Sequence, residues 1–114
     1  IDDMISSGES MLDVAKQIKE RKAKRVFICT TYGLFTDGLK KFDEYYEKGW
    51  IDKVITTNLN YRDPELLTRP YYVEANMSKY LASIMDIINH DLSVEKVRSS
   101  NEKIMELMEK VSKR

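Results

Sequence analysis

Asp2 and Asp3, followed after Met4 and Ile5 by Ser6-Ser7-Gly8-Glu9-Ser10, are the residues of this chain whose types and spacing suit a sugar phosphate. Two adjacent carboxylates accept hydrogen bonds from vicinal hydroxyls. Ser6, Ser7, Gly8 and Ser10 offer hydroxyls and backbone N–H groups, and the positive end of the helix that follows attracts a phosphate dianion. An ordinary strand-to-helix connection, with Ser10 as N-cap, fits the same residues. Elsewhere the chemistry is thinner. His90, the only histidine, lies at a helix end between Asn89 and Asp91. A dipole contact is the expected role there, because one imidazole without Cys or His neighbours makes no metal site. No residue is assigned as catalytic or as a metal ligand. The cluster Lys16, Lys19, Arg21, Lys22, Lys24 and Arg25 reads as a solvated helix end, with an anion or effector site as the alternative.

The elements that must position these residues alternate along the chain. Met11, Leu12, Val14, Ala15 and Ile18 follow helical spacing up to Arg21, and Ser10 with Asp13 reads as a capping box. Arg25 to Thr31 is expected to form a strand buried on both faces, followed by a turn over Thr30-Thr31-Tyr32-Gly33. A second helix places Phe35, Leu39, Phe42 and Tyr46 on one face and stops at Gly49. Val54 to Thr57 is a short strand, Asn58 to Pro70 reads as a loop, and Tyr71 to Ala75 is another strand. Met77 to His90 is an amphipathic helix with Tyr80, Leu81, Ile84, Met85, Ile87 and Ile88 on its expected buried side.

Ser93 to Arg114 is a helical tail carrying Val97, Ile104 and Val111 at heptad spacing beside Val94, Asn101 and Met108, with a possible break near Ser99-Ser100. That stripe suits a lid on the chain's own core, or an oligomer seam. The order implies an α/β fold, a three-layer sandwich with a largely parallel sheet, in which ligands sit beyond the carboxyl ends of the strands. The loops at Asp2 to Ser10, Thr30 to Gly33 and Thr56 to Asn58 would share that rim. Residues 1–92 are expected as the main domain and 93–114 as its helical tail.

The size, 114 residues, suits one such core, and 19 basic against 19 acidic side chains leave no net charge. That balance argues against broad electrostatic capture of nucleic acid or an anionic membrane. Cys29 lies alone in an apolar run, so an internal disulfide is excluded and a buried thiol in a reducing cytoplasm is expected. No apolar stretch approaches bilayer length, and no signal peptide is expected. If Asp2 and Asp3 close a strand, only Ile1 of it remains, so an N-terminally truncated fragment is expected.

The opening loop resembles the 5-phosphoribosyl-1-diphosphate (PRPP) loop of type I phosphoribosyltransferase folds, with Glu9 where a second glycine usually stands. The resemblance widens at Ala23-Lys24-Arg25-Val26-Phe27-Ile28, at Thr30-Thr31-Tyr32-Gly33-Leu34-Phe35, and at Ile51-Asp52-Lys53-Val54-Ile55-Thr56-Thr57-Asn58. It continues through Arg69-Pro70-Tyr71-Tyr72-Val73, Met77-Ser78-Lys79-Tyr80 and Asn89-His90-Asp91-Leu92-Ser93. These segments look like the C-terminal part of the ribose-phosphate diphosphokinases, also called PRPP synthetases. Tyr32 stands where that family commonly has His.

The resemblance implies transfer of the diphosphate of ATP to ribose 5-phosphate, with Mg²⁺, by a homo-oligomer. By position it gives the ribose hydroxyls to Asp2 and Asp3, and the 5-phosphate to Ser6, Ser7, Gly8, Glu9 and Ser10. The family's ATP-binding and metal-binding residues belong to sequence upstream of Ile1, so this chain alone is expected to be inactive. A salvage phosphoribosyltransferase would share the loop but not the match at Thr56-Thr57-Asn58. A non-catalytic regulatory homologue is the remaining alternative, suggested by Glu9 and Tyr32.

Overall fold

The computed structural model describes residues 1–91 and 101–113. They form two compact units, Ile1–Met77 and Ser78–Arg114. The expected boundary at 92/93, the break near Ser99-Ser100 and the stripe residues Val94 and Val97 lie outside the described residues.

The first unit runs β1 (Asp2–Ile5), α1 (Glu9–Glu20), β2 (Phe27–Gly33), α2 (Lys40–Glu47), β3 (Lys53–Thr57), α3 (Pro64–Leu67) and β4 (Tyr72–Ala75). Among the described residues the strands make one four-stranded sheet in the order β1-β2-β3-β4. All its pairs are parallel, with Asp2 opposite Thr30, Ile28 opposite Val54 and Val54 opposite Tyr72. The expected α/β fold with a parallel sheet is what the chain adopts. Right-handed connections repeated in one direction keep α1, α2 and α3 on a single face. The core fills the space between: Ile5, Leu12, Ala15, Val26, Ile28, Phe42, Ile51, Val54 and Tyr71.

That one-sided cover corrects the reading of β2. The strand alternates, with Ile28 and Thr30 buried while Phe27 is 53% exposed, and Cys29 is only half-buried. Cys29, Ile55 and Val73 stand in register on the second face, which is where a further layer of a sandwich would rest. Thr30 to Gly33 is not a turn but the end of the strand, because Met4 and Ile5 pair with Tyr32 and Gly33. Likewise β1 runs on past Asp2 and Asp3 to Ile5, so the two carboxylates do not close it.

Helix α1 starts at Glu9 with Gly8 as its cap, at φ +85° and with no capping side chain. Ser10 is already inside the helix, so the expected capping box with Asp13 does not form. Only glycine fits the cap: a Cβ there would lie 2.4 Å from Phe42 Cζ, and the left-handed backbone excludes most side chains as well. Phe35 lies ahead of α2 in the loop, edge-on to Phe42 with ring centroids 5.1 Å apart. Gly49, at φ +73°, ends the helix as expected, with its N–H on Tyr46 O and that of Trp50 on Tyr45 O.

The stretch Asn58 to Pro70 is not wholly a loop. Asp63 caps α3 by accepting the Glu65 N–H at 2.9 Å, and Pro64 opens the helix. In the second unit, α4 (Ser78–Asn89) and α5 (Asn101–Ser112) confirm the two helical patterns. No residue of either is buried: Met85 is 70% exposed and Ile88 61%, contrary to the expected buried side of α4.

Candidate functional site

A parallel sheet gathers the carboxyl ends of its strands on one edge, and the loops that leave β1, β2, β3 and β4 are laced together there. Leu34 N–H donates to Ile5 O at 2.8 Å and Thr36 N–H to Ser6 O at 3.0 Å, so the β2–α2 loop braces the β1–α1 loop. Asn60 Nδ2 donates to Gly33 O at 3.0 Å, and Thr57 Oγ1 to Thr31 O at 2.6 Å. Asn58 Oδ1 accepts the Met77 N–H at 2.8 Å. The three connections meet on one rim as expected, but they leave the sheet only after Ile5, Gly33 and Thr57, so most of the stretches expected as loops are strand ends.

At one end of it Asp2, Met4, Ile5, Ser6, Ser7, Gly8, Ser10 and Met11 line an open depression of about 140 Å³. The first helical bond of α1 runs from Leu12 N–H to Gly8 O at 2.9 Å, so the N–H groups of Glu9, Ser10 and Met11 have no partner within the helix. Ser7 Oγ takes the Glu9 N–H in a long contact of 3.4 Å. Unspent donors at the positive end of a twelve-residue helix, beside exposed serine hydroxyls, suit a phosphate.

Of the seven residues marked in the sequence, Asp2, Ser6, Ser7, Gly8 and Ser10 line this depression, and Asp3 and Glu9 do not. Strand alternation turns Asp3 to the side opposite Asp2. The Asp3 N–H donates to Asp2 Oδ1 at 2.8 Å, which lowers the pKa of the Asp2 carboxyl from its ordinary value. Glu9 is paired with Lys41 of α2. That hydrogen bond lowers the Glu9 pKa and raises the Lys41 pKa. Nothing in the sequence marks Lys41, because the two residues come together only when α2 docks on the sheet.

A second hollow of about 170 Å³ on the same rim is lined by Gly33, Leu34, Phe35, Gly38, Leu39, Tyr61, Asp63, Glu65 and Leu66. Its only signal in the sequence is the length of the stretch Asn58 to Pro70. The basic cluster is in part structural: Lys19 Nζ donates to Lys24 O at 2.8 Å, and Lys16 lies 4.9 Å over the Trp50 ring. His90 Nδ1 lies 2.8 Å from Asp86 O within its own helix end. Among the described residues there is no group of three or more His, Cys, Asp or Glu that could hold a metal ion. None of the described helices is long and apolar enough to cross a membrane.

No family model matches the chain. Among curated proteins it is similar to the ribose-phosphate pyrophosphokinase of Shewanella oneidensis, 31% identical over 94 residues, which is 82% of this chain and 29% of the relative. The enzyme of that name from Mycoplasmopsis pulmonis is 32% identical over 90 residues, 75% of this chain and 27% of its own length. That of Mycoplasma genitalium is 36% identical over 59 residues, 51% of this chain and 18% of its own. The chain thus spans less than a third of the length of the curated relatives it matches.

Proposed function

This chain is a relative of part of the ribose-phosphate pyrophosphokinases, and we propose that it supplies the ribose 5-phosphate-binding part of such an enzyme. The observation that carries this reading is the depression at the carboxyl rim, where Ser6, Ser7, Gly8 and Ser10 lie with the open N-terminus of α1 beside Asp2. In this reading the 5-phosphate takes the N–H groups and hydroxyls of Ser6 to Ser10, and Asp2 accepts from the ribose hydroxyls. Asp3, turned away, acts only by donating its backbone N–H to Asp2. Fixing the acceptor sugar against a helix end positions the anomeric hydroxyl for attack on ATP, and positioning is a large part of catalysis in phosphoryl transfer.

Mg²⁺ would neutralise charge on the transferring diphosphate. In this reading the rest of such an enzyme supplies the groups that bind ATP, and the chain by itself is expected to make no PRPP. The complete protein is then a cytoplasmic homo-oligomer that consumes ribose 5-phosphate and ATP.

The test is an assay of the full-length protein with ribose 5-phosphate, ATP and Mg²⁺, read by phosphorus NMR. PRPP formation supports the reading. PRPP consumption with a free base would replace it with a salvage phosphoribosyltransferase, and neither activity would leave a non-catalytic homologue.

A further inference from the structure

Glu9 is an awkward residue for a phosphate site. It occupies the first position of α1, directly after Gly8, where its carboxylate competes with a bound dianion for the same helix-end field. Left alone it would repel the ligand across a distance shorter than the screening length at physiological salt. It is not left alone: Lys41 Nζ donates to Glu9 Oε1.

The reach of Lys41 is set by its neighbours. Phe42, next in α2, is fully buried beneath Gly8, and Leu39 is buried on the other side. The ammonium is therefore held beside the loop while the pair stays open to solvent, with side chains 52% and 57% exposed. The hydrogen bond to Glu9 raises the Lys41 pKa, and Asp37 adds a smaller push in the same direction.

We propose that Lys41 and Glu9 form a charge-balancing pair that sets the affinity of the Ser6–Gly8 loop for a phosphate dianion, Lys41 being the positioning cation. The proposal rests on the reading of that loop as the ribose 5-phosphate site. Lys41 cancels the charge of Glu9, and it is free to turn its remaining protons to a phosphate oxygen when ligand arrives. The pair itself carries no net charge when both residues are present, and the loop's surroundings become one charge more negative without Lys41 and one more positive without Glu9. Affinity should follow that order, whereas a merely structural latch would be damaged equally from either side.

The experiment is calorimetric titration of the full-length protein with ribose 5-phosphate at low and at high salt. The variants are Lys41→Gln, Glu9→Gln, the two combined, and Lys41→Arg. Lys41→Gln should weaken binding about fivefold and Glu9→Gln should tighten it about threefold, in keeping with one or two exposed charges near a helix end. The double variant and Lys41→Arg should fall within about twofold of the unmodified protein, and all the differences should shrink at high salt.

Equal weakening by both single substitutions, or no change from either, would overturn the pair while leaving the site intact. Absence of any binding by the unmodified protein would overturn the site itself, and the pair with it. Thermal melts of each variant separate loss of fold from loss of charge.

Discussion

The two edges of the sheet are built differently. Ahead of the strands, side chains clamp one segment to another: Asp52 Oδ2 accepts the Val26 N–H at 2.8 Å, and Lys53 Nζ donates to Pro70 O at 2.7 Å. Asp43 Oδ1 takes both the Tyr71 hydroxyl at 2.7 Å and Arg69 Nε at 2.9 Å. At the carboxyl edge the β1–α1 loop is braced chiefly by backbone bonds, through Leu34 and Thr36, and Ser6 and Ser10 are exposed. The later loops of that edge are tied by side chains too, through Thr57 and Asn60, so the contrast lies in the β1–α1 loop, whose exposed Ser6 and Ser10 are open to a ligand. Substitutions at the two edges should therefore separate stability from binding.

The largest effect should fall on the core beneath the β1–α1 loop. Phe42→Ala empties a fully buried site under Gly8, and a loss of about 3–5 kcal/mol is expected in a denaturant titration. Gly8→Ala forces a Cβ into Phe42 at φ +85°, which should cost about 2–4 kcal/mol and abolish ribose 5-phosphate binding in the molecules that still fold. Asp43→Ala sharpens the contrast from the other edge. It strands the hydroxyl of Tyr71, a residue 1% exposed, so about 1–3 kcal/mol should be lost while affinity for ribose 5-phosphate stays within about twofold.

Tyr71→Phe is the mildest, at about 1 kcal/mol, and it carries a pH signature. Burial first, then the bond to Asp43, raises the Tyr71 pKa well above the ordinary tyrosine range. Above about pH 10 the unfolded chain releases that proton and the folded one keeps it, so the contribution is complete below that pH and fades as pH rises through the folded value. Denaturation series from pH 9 to 11 should show stability falling in the unmodified protein and falling less in Tyr71→Phe. Tyr45, which burial also raises, keeps a residual slope in both.

Much of the fold was legible because the chain alternates apolar helical and β-favouring runs, and a parallel sheet follows from that alternation. What the pattern could not give was the side on which each element is covered. Phe27 and Cys29 belong to a continuous apolar run, yet the successive order of the strands puts α1, α2 and α3 on one face only. Helices α4 and α5 are as clearly amphipathic in sequence as α1, but α1 buries Leu12 and Ala15 while neither of the others buries any residue. Amphipathic spacing identifies a helix and not its partner.

Of the candidate site, the serine–glycine loop and Asp2 were visible from residue types alone. The departure of Asp3 follows from strand alternation once β1 is known to run on to Ile5. Lys41 is a long-range neighbour, 32 residues from Glu9, and no local pattern reports such a pair.

The central claim is that the Ser6–Gly8 loop and the start of α1 receive the phosphate of ribose 5-phosphate. An amide NMR titration of the isotope-labelled protein with that ligand tests it most directly. Saturable shifts confined to Asp2 through Met11 and the bracing residues Leu34 to Thr36 are the predicted result. Shifts centred on the basic cluster from Lys16 to Arg25, or none at saturating ligand, would contradict it.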